Sequence, residues 1–202
     1  YLSILRAVRK LPKVKKVFIR SGIRYDYVMA DKSDEFLREV CKYHVSGVLK
    51  VAPEHISPNV LRHMRKPSKE AFTAFAEKYK KINKELGLKQ YLIPYLISSH
   101  PGSTLEDAVN LAVFLKETEF VPDQVQDFYP TPGTLATCMY YTEMDPFTKE
   151  KVYVAKSLAE KKMQRALMHF NKPENRETVK AALKAAGRED LTEYLLGRRY
   201  KK

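Results

Sequence analysis

The stretch Tyr91-Leu-Ile-Pro-Tyr-Leu-Ile-Ser-Ser-His-Pro-Gly-Ser-Thr-Leu-Glu-Asp-Ala108 decides the fold, because its pattern predicts a buried strand, a tight polar turn and an amphipathic helix. The apolar run ends at residues 98–102, where small polar residues and glycine predict the turn. Ser103 followed by Glu106 predicts a capping box at the helix start. The apolar face of the helix comprises Leu105, Ala108, Val109, Ala112 and Leu115. Ligands of α/β proteins bind beyond the carboxyl ends of strands, so this turn is the first candidate site.

Three further apolar segments, residues 17–20, 48–51 and 124–128, also end in polar loops. Helical patterns lie between the segments, so the chain predicts about four βα units of a parallel sheet or barrel. Because parallel strands point the same way, all of these loops would lie on one rim. About four units cannot close an eight-stranded barrel, so the sheet is expected to be open or incomplete.

The character of the sequence changes after Thr137. Residues 140–154 are predicted to be extended or hairpin-like, and helical patterns follow at about residues 158–170 and 174–186, the last one stopped by Gly187. We therefore predict an α/β part over residues 1–137 and a mainly helical, basic extension over residues 138–202.

Composition limits the class of protein. The chain has 202 residues, of which 44% are hydrophobic, enough for a packed core and too many for a disordered chain. It has no signal peptide and no apolar run of roughly 18 residues, so no membrane partner is expected and a cytoplasmic location is predicted. Because the chain begins with Tyr1 and a helical pattern is already under way there, it is expected to be a piece of a longer protein.

The net charge is +13, which favours polyanionic partners such as RNA. A short basic cluster stands at Lys13, Lys15 and Lys16, and a basic tail occupies residues 198–202. The remaining basic residues are dispersed, which is more typical of a solvated surface than of a nucleic-acid interface. RNA is therefore kept as an alternative partner, and charge alone does not decide it.

Three motifs in the expected order resemble those of radical S-adenosylmethionine (SAM) enzymes. Ile97-Ser-Ser-His-Pro-Gly-Ser-Thr-Leu-Glu-Asp-Ala108 resembles their strand, elbow and helix, Val51-Ala-Pro-Glu-His55 the preceding strand end, and Phe128-Tyr-Pro-Thr-Pro-Gly-Thr134 the following one. Together with Lys16-Val-Phe-Ile-Arg-Ser-Gly-Ile-Arg-Tyr-Asp26, these segments are similar to YgiQ-type radical SAM proteins of the UPF0313 family. The resemblance covers most of the chain before the helical extension.

The resemblance implies the later portion of an incomplete (β/α)6 barrel, TIM-like in architecture. It also implies a parent protein that binds SAM and a four-iron four-sulfur cluster, and that cleaves SAM reductively to a 5′-deoxyadenosyl radical acting on an unknown substrate. The CxxxCxxC cluster loop of that family is absent, since Cys41 and Cys138 stand alone. The chain is therefore expected to hold no cluster, to require no cofactor and to be inactive by itself.

The resemblance also implies that the polar strand ends contact SAM. The candidate residues are Arg20, Ser21, Glu54, His55, Ser98, Ser99, His100, Phe128 and Tyr129. Arg20 or Ser21 would pair with the SAM carboxylate, for which a guanidinium has the matching bidentate geometry. Glu54 would accept hydrogen bonds from the ribose hydroxyls or the SAM ammonium group. No catalytic residue is assigned.

Other interpretations of the same residues stay open. Arg20 and Glu54 can simply pair with each other, and His55 and His100 lack a third ligand at a spacing typical of metal sites. A cluster-free enzyme would use Glu54, His55 and His100 as acid–base groups. A nucleic-acid-binding module would need basic residues on one face with aromatics among them. An open barrel edge would also favour self-association of the chain.

Overall fold

The computed structural model describes residues 1–120, 122 and 125–197 as an α/β protein. Its elements are α1 (Leu2–Arg9), α2 (Tyr25–Ala30), α3 (Glu35–Tyr43), β1 (Val48–Glu54), α4 (Pro58–Met64), α5 (Lys69–Glu85), β2 (Tyr91–Ser98), α6 (Leu105–Glu117), β3 (Val125–Asp127), α7 (Leu135–Thr142), α8 (Leu158–Met168), α9 (Arg176–Ala185) and α10 (Thr192–Leu196). Short 3-10 helices precede α9 and α10. None of the described helices is long and apolar enough to cross a membrane. The predicted basic tail, residues 198–202, and Gln124 lie outside the described residues.

The strands form a three-stranded parallel sheet in the order β1, β2, β3, which confirms the α/β class. In the parallel pair of β2 and β3, Leu96, Ile97 and Ser98 lie opposite Val125, Gln126 and Asp127. That this sheet forms part of an incomplete (β/α)6 barrel stays a prediction.

The strand predicted at residues 17–20 is wrong. The backbone groups of this segment bond to a single residue instead of a strand: the Ile19 N–H donates to the His44 carbonyl at 2.9 Å, and Nδ1 of His44 donates to the Val17 carbonyl at 2.7 Å. A residue that satisfies both groups from a turn removes the need for a strand partner.

The described chain divides into two compact units, and unit 1 comprises Tyr1–Pro53 and Pro67–Pro94. Its core contains an aromatic cluster in which Tyr25 lies 5.8 Å from Phe72 and 5.9 Å from Phe75, centroid to centroid. Phe72 and Phe75 lie on the buried face of α5. These contacts explain α2, which the sequence analysis leaves as loop: Tyr25 and Val28 lie one turn apart and are both buried.

Unit 2 comprises Glu54–Lys66 and Tyr95–Lys202, so the helical extension and the later strands share one core. Helix α6 packs against α8 and α9 through small residues, which let the helix backbones approach closely. The buried residues of this layer are Ala108, Val109, Ala112, Ala166, Leu167, Val179, Ala182, Leu183 and Leu195. A second cluster, comprising Ile56, Leu96, Leu111, Leu115, Val125 and Met168, joins the sheet to α6 and α8.

Two predicted element boundaries are corrected in unit 2. The capping box of α6 is formed by Thr104 and Asp107, one residue later than predicted: the Asp107 N–H donates to Thr104 Oγ1 at 3.1 Å, and the Thr104 N–H donates to Asp107 Oδ2 at 3.0 Å. Helix α7 runs to Thr142 and its start is capped by the Thr134 side chain, so residues 140–142 are helical rather than extended as predicted. A hairpin-like turn then follows, with Met144 bridged to Lys151 in antiparallel fashion.

Candidate functional site

The carboxyl ends of the strands bring most of the predicted site residues into unit 2. Ser98 Oγ at the end of β2 donates to Asp127 Oδ1 at the end of β3 at 2.5 Å. The Phe128 N–H donates to the Ser98 carbonyl at 2.9 Å, and the Phe128 ring lies 5.2 Å from that of His100, edge to face. The residues that follow β1 join the same group, because Asn59 Nδ2 donates to the carbonyl of Gly102 at 3.0 Å.

Glu54 and Ser99 stand at the ends of β1 and β2 with positive φ angles, 64° for Glu54 and 58° for Ser99. A non-glycine residue pays roughly 1–2 kcal/mol for this conformation, and such strain is concentrated at functional sites. The Glu54 carboxylate pairs with Lys66 Nζ at 2.9 Å, and both side chains are partly exposed. The side chain of Glu54 is thus fixed by an ion pair at the end of β1.

His55 is buried and carries an unused donor. Its Nδ1 accepts from the Ser57 N–H at 3.1 Å, so the neutral ring holds its proton on Nε2. Burial, foremost, lowers the pKa of His55 to about 4, with Asp107 opposing and His100 adding to the effect. Among the described residues no group accepts from His55 Nε2.

The ring of His100 has the opposite hydrogen-bonding pattern to that of His55. Its Nδ1 donates to the Pro101 carbonyl at 2.8 Å, which leaves Nε2 as an acceptor. Burial lowers the pKa of His100 to about 4. Both imidazoles are therefore neutral at pH 7 and weak as bases, which disfavours the acid–base enzyme considered from the sequence.

Ser98 and Ser99 have different surroundings although they are neighbours. Ser98 is fixed by Asp127, whose other oxygen accepts from Arg165 Nη1 of α8 at 2.7 Å. Ser99 Oγ is buried and finds no hydrogen-bond partner in the part of the chain that the structure describes. A buried hydroxyl without a partner costs about 1–3 kcal/mol, so its retention needs an explanation.

The remaining predicted residues lie at more exposed positions. Tyr129 is 76% exposed, while Phe128 is half-buried between the rings of His100 and Tyr140. Arg20 and Ser21 belong to unit 1, where both are exposed. The carboxylate of Glu54 takes Lys66 as its partner, a pairing that the sequence analysis did not consider.

Gln164 of α8 is a site residue that the sequence analysis missed. Its Oε1 accepts from the Ser99 N–H at 3.1 Å and from Ser103 Oγ at 3.0 Å, and its Nε2 donates to the Ser103 carbonyl at 2.9 Å. Gln164 is fully buried. The available signal was a polar residue at helical spacing from Leu167 and Met168 on an apolar face.

His63 of α4 was also missed, and it packs against the elbow after β2. A Cβ placed on Gly102 would lie 2.4 Å from His63 Cδ2, and Gly102 has a φ of 92°. Only glycine fits there, because both the contact and the backbone angle exclude a side chain. The Gly102 N–H donates to the Tyr153 carbonyl at 2.7 Å, which fixes the elbow to the hairpin after α7.

The cysteines do not form a cluster site. Cys41 is buried in unit 1, where desolvation raises the pKa of its thiol to about 12, while Cys138 is exposed. Across the described residues, no group of three His, Cys, Asp or Glu side chains is placed to hold a metal ion. Two separate cysteines are fewer thiolates than the ligand set of a four-iron cluster requires.

The sheet and its polar strand ends define an α/β protein with a candidate ligand site at the carboxyl ends of its strands. The chain is 60% identical, over 191 residues, to a UPF0313 protein of Clostridium perfringens strain SM101, a match that covers 95% of this chain and 29% of the relative. It is 58% identical over 191 residues to a UPF0313 protein of Clostridium botulinum strain 657, covering 95% of this chain and 30% of the relative.

Residues 123–196 match the family model described as a domain of unknown function, DUF3362. The relatives at 58–60% identity are named UPF0313 proteins, which agrees with the family name predicted from the sequence. The chain spans 29% of the length of the first of these relatives.

Proposed function

We propose that this chain supplies part of the SAM-binding rim of a radical SAM enzyme. The proposal rests on the three motifs at the strand ends and on the grouping of Glu54, His55, Ser99 and His100 in unit 2. The observation that carries it is the pair of buried polar atoms without protein partners, His55 Nε2 and Ser99 Oγ. A polar ligand that hydrogen-bonds to these atoms would offset the free-energy cost of burying them.

The chemistry of this donor set suits a nucleoside. Glu54 offers a carboxylate that accepts from vicinal hydroxyls or from an ammonium group. His55 offers a donor, His100 an acceptor, and the Phe128 ring beside His100 offers an apolar face. SAM contains hydroxyls, an ammonium group and an aromatic base, so each kind of group has a counterpart.

The four-iron cluster belongs elsewhere in this proposal, because the cysteines of this chain do not fit it. We assign SAM binding to this chain and the cluster to other parts of the full-length protein. The unknown substrate and the cytoplasmic location are likewise part of the proposal for the full-length protein. The relatives, more than three times as long as this chain, leave room for such parts.

Replacing Glu54 tests the binding role. Glu54→Ala in the full-length protein is expected to weaken SAM binding by roughly 1–3 kcal/mol, since a charge-assisted hydrogen bond is lost. Equilibrium dialysis with labelled SAM measures the affinity directly. Lys66→Ala is the control, because it removes the ion-pair partner and keeps the carboxylate. Equal affinities for the wild type and Glu54→Ala would remove Glu54 from the site.

A further inference from the structure

A second polar region belongs to unit 1 and uses none of the residues of the proposed SAM site. A cavity of about 490 Å³ is lined by Arg9, Lys15, Lys16, Phe18, Lys42, Tyr43, Val45 and Ser46. These residues come from the ends of α1 and α3, from residues 15–18 and from the turn before β1. We call this region the basic groove, and all of its lining residues belong to unit 1.

Most of the positive charge of the basic groove is not neutralised by acidic side chains. Arg9 pairs with Glu39 at 3.1 Å, so its charge is balanced. Lys15, Lys16 and Lys42 make no ion pair with a carboxylate among the described residues. Three unbalanced ammonium groups around one cavity create a positive potential that attracts anions.

Aromatic rings lie among these cations. Arg9 Cζ is 3.7 Å from the centroid of the Tyr43 ring, Lys42 Nζ is 5.2 Å from the same ring, and Lys16 Nζ is 5.8 Å from the Phe18 ring. Phe18 is 43% exposed and Tyr43 37%. The hydrogen bond from Lys42, and then the one from Arg9, lower the pKa of Tyr43, as expected in a positive field.

This combination is the one that the sequence analysis required for nucleic-acid binding: basic residues on one face with aromatic residues among them. Lysines bind phosphates as point charges, and an exposed ring stacks on an unpaired base of any kind. A duplex keeps its bases stacked inside, so exposed rings favour a single strand. The cavity volume is in the range of small-ligand pockets and would take a short segment of strand.

We propose that the basic groove binds single-stranded RNA, with phosphates on Lys15, Lys16 and Lys42 and a base against Phe18. The inference does not depend on SAM binding, since it uses different residues in the other unit. The groove is also a place where positive charge is concentrated, whereas most of the other lysines are dispersed along the sequence.

The test uses the full-length protein and a fluorescent oligouridine of about ten nucleotides, within the site sizes of single-strand binders. The variant Lys15→Ala/Lys16→Ala/Lys42→Ala removes the groove cations. The control Lys80→Ala/Lys81→Ala/Lys84→Ala removes the same charge from exposed positions on α5. Anisotropy titrations at several salt concentrations give the affinity and its salt slope for each protein, and circular dichroism melts check that each variant is folded.

We expect the groove variant to reduce the magnitude of the salt slope by about 2, from three lost phosphate contacts at about 0.7 each on a single strand. The control should keep the wild-type slope. Phe18→Leu should weaken oligouridine binding by about tenfold and leave the binding of inorganic polyphosphate unchanged, since polyphosphate has no base to stack.

The proposal is overturned if the wild type does not bind oligouridine, or if the control loses as much as the groove variant. It is also overturned if Phe18→Leu binds both polyanions as the wild type does, because the lysines then act only as a charged surface. Competition with free uridine monophosphate distinguishes binding of an RNA strand from binding of a mononucleotide. If uridine monophosphate displaces oligouridine at an equal concentration of nucleotide, the groove binds mononucleotides and the RNA assignment is contradicted.

Discussion

Single residues at the elbow after β2 show how sequence, backbone and packing depend on one another. Gly102 has a φ of 92°, and the ring of His63 occupies the space that a Cβ at this position would need. Ser99 adopts a φ of 58° without the freedom of glycine, and its N–H is held by Gln164. The elbow is thus held in a strained form by contacts from α4 and α8, as is typical of a ligand site.

Gly102→Ala tests this tight packing. The added methyl group meets His63 at 2.4 Å in an unfavourable backbone conformation, so we expect a loss of about 2–4 kcal/mol in the free energy of unfolding. Gly187→Ala is the matched control, because Gly187 also has a positive φ but no atom within 4 Å of the added methyl group. The control should lose about 1 kcal/mol. Urea unfolding measures both, and equal losses would contradict the packing argument.

The buried histidines predict that acid destabilises the fold. The pKa values of His55 and His100 fall from 6.5 to about 4 on folding, so between these pH values the unfolded chain binds more protons than the folded chain. This stability is complete above pH 6.5 and is lost as the pH falls towards 4, by at most roughly 3 kcal/mol for each group.

Urea unfolding at several pH values between 4 and 7 measures this loss. His55→Gln/His100→Gln should flatten the dependence of the free energy of unfolding on pH, because the two groups no longer titrate. His63 and His169 also have pKa values lowered by burial, so some slope should remain. An unchanged slope in the double variant would show that these two histidines are protonated freely in the folded state.

At the scale of elements, α8 is the helix that connects the extension to the sheet. Its residue Gln164 holds the backbone and side chain of the β2 elbow, and Arg165 pairs with Asp127 at the end of β3. Leu167 and Met168 of the same helix fill the apolar layers around α6 and the sheet. The extension is therefore part of the support of the candidate site.

Gln164→Leu tests that support. The change leaves the Ser99 N–H and the Ser103 hydroxyl and carbonyl without their partner, so we expect a loss of about 2–4 kcal/mol in the free energy of unfolding. Lys162→Ala, an exposed position on the same helix, should change stability by less than about 0.5 kcal/mol. Chemical denaturation compares the two, and a neutral Gln164→Leu would mean that the elbow does not need α8.

The same elements show what the sequence could predict. The strand, elbow and helix after Tyr91 were predictable because an apolar run, a glycine turn and a helix-capping pattern are all signals within a few residues. The cap was misplaced by one residue because Ser103, the expected cap, is buried and donates to Gln164 instead. Helix α2 was not predictable, since its burial depends on α5, which follows much later in the chain.

The residues of the candidate site also divide into those that the sequence could predict and those that it could not. Glu54, Ser98 and His100 were predictable as polar ends of apolar strands, a local signal. Gln164 and His63 were not, because they reach the elbow only through the packing of α8 and α4. Tertiary contacts of this kind leave no short-range pattern beyond a polar residue on an apolar helix face.

At the scale of the whole molecule, this chain covers under a third of its UPF0313 relatives, so the proposed radical SAM activity is a proposal about the full-length protein. Its unit 2 groups the proposed SAM residues, and unit 1 carries the basic groove. Self-association of the isolated chain through an open sheet edge stays a prediction.

The most direct test of the central proposal is the formation of 5′-deoxyadenosine by the full-length protein, purified without oxygen and supplied with SAM and a reductant. We expect iron and sulfide in the protein and reductant-dependent 5′-deoxyadenosine in the wild type, with a strong reduction in Glu54→Ala at low SAM. A protein that retains iron and sulfide but forms no 5′-deoxyadenosine, or that lacks both, would contradict the radical SAM assignment.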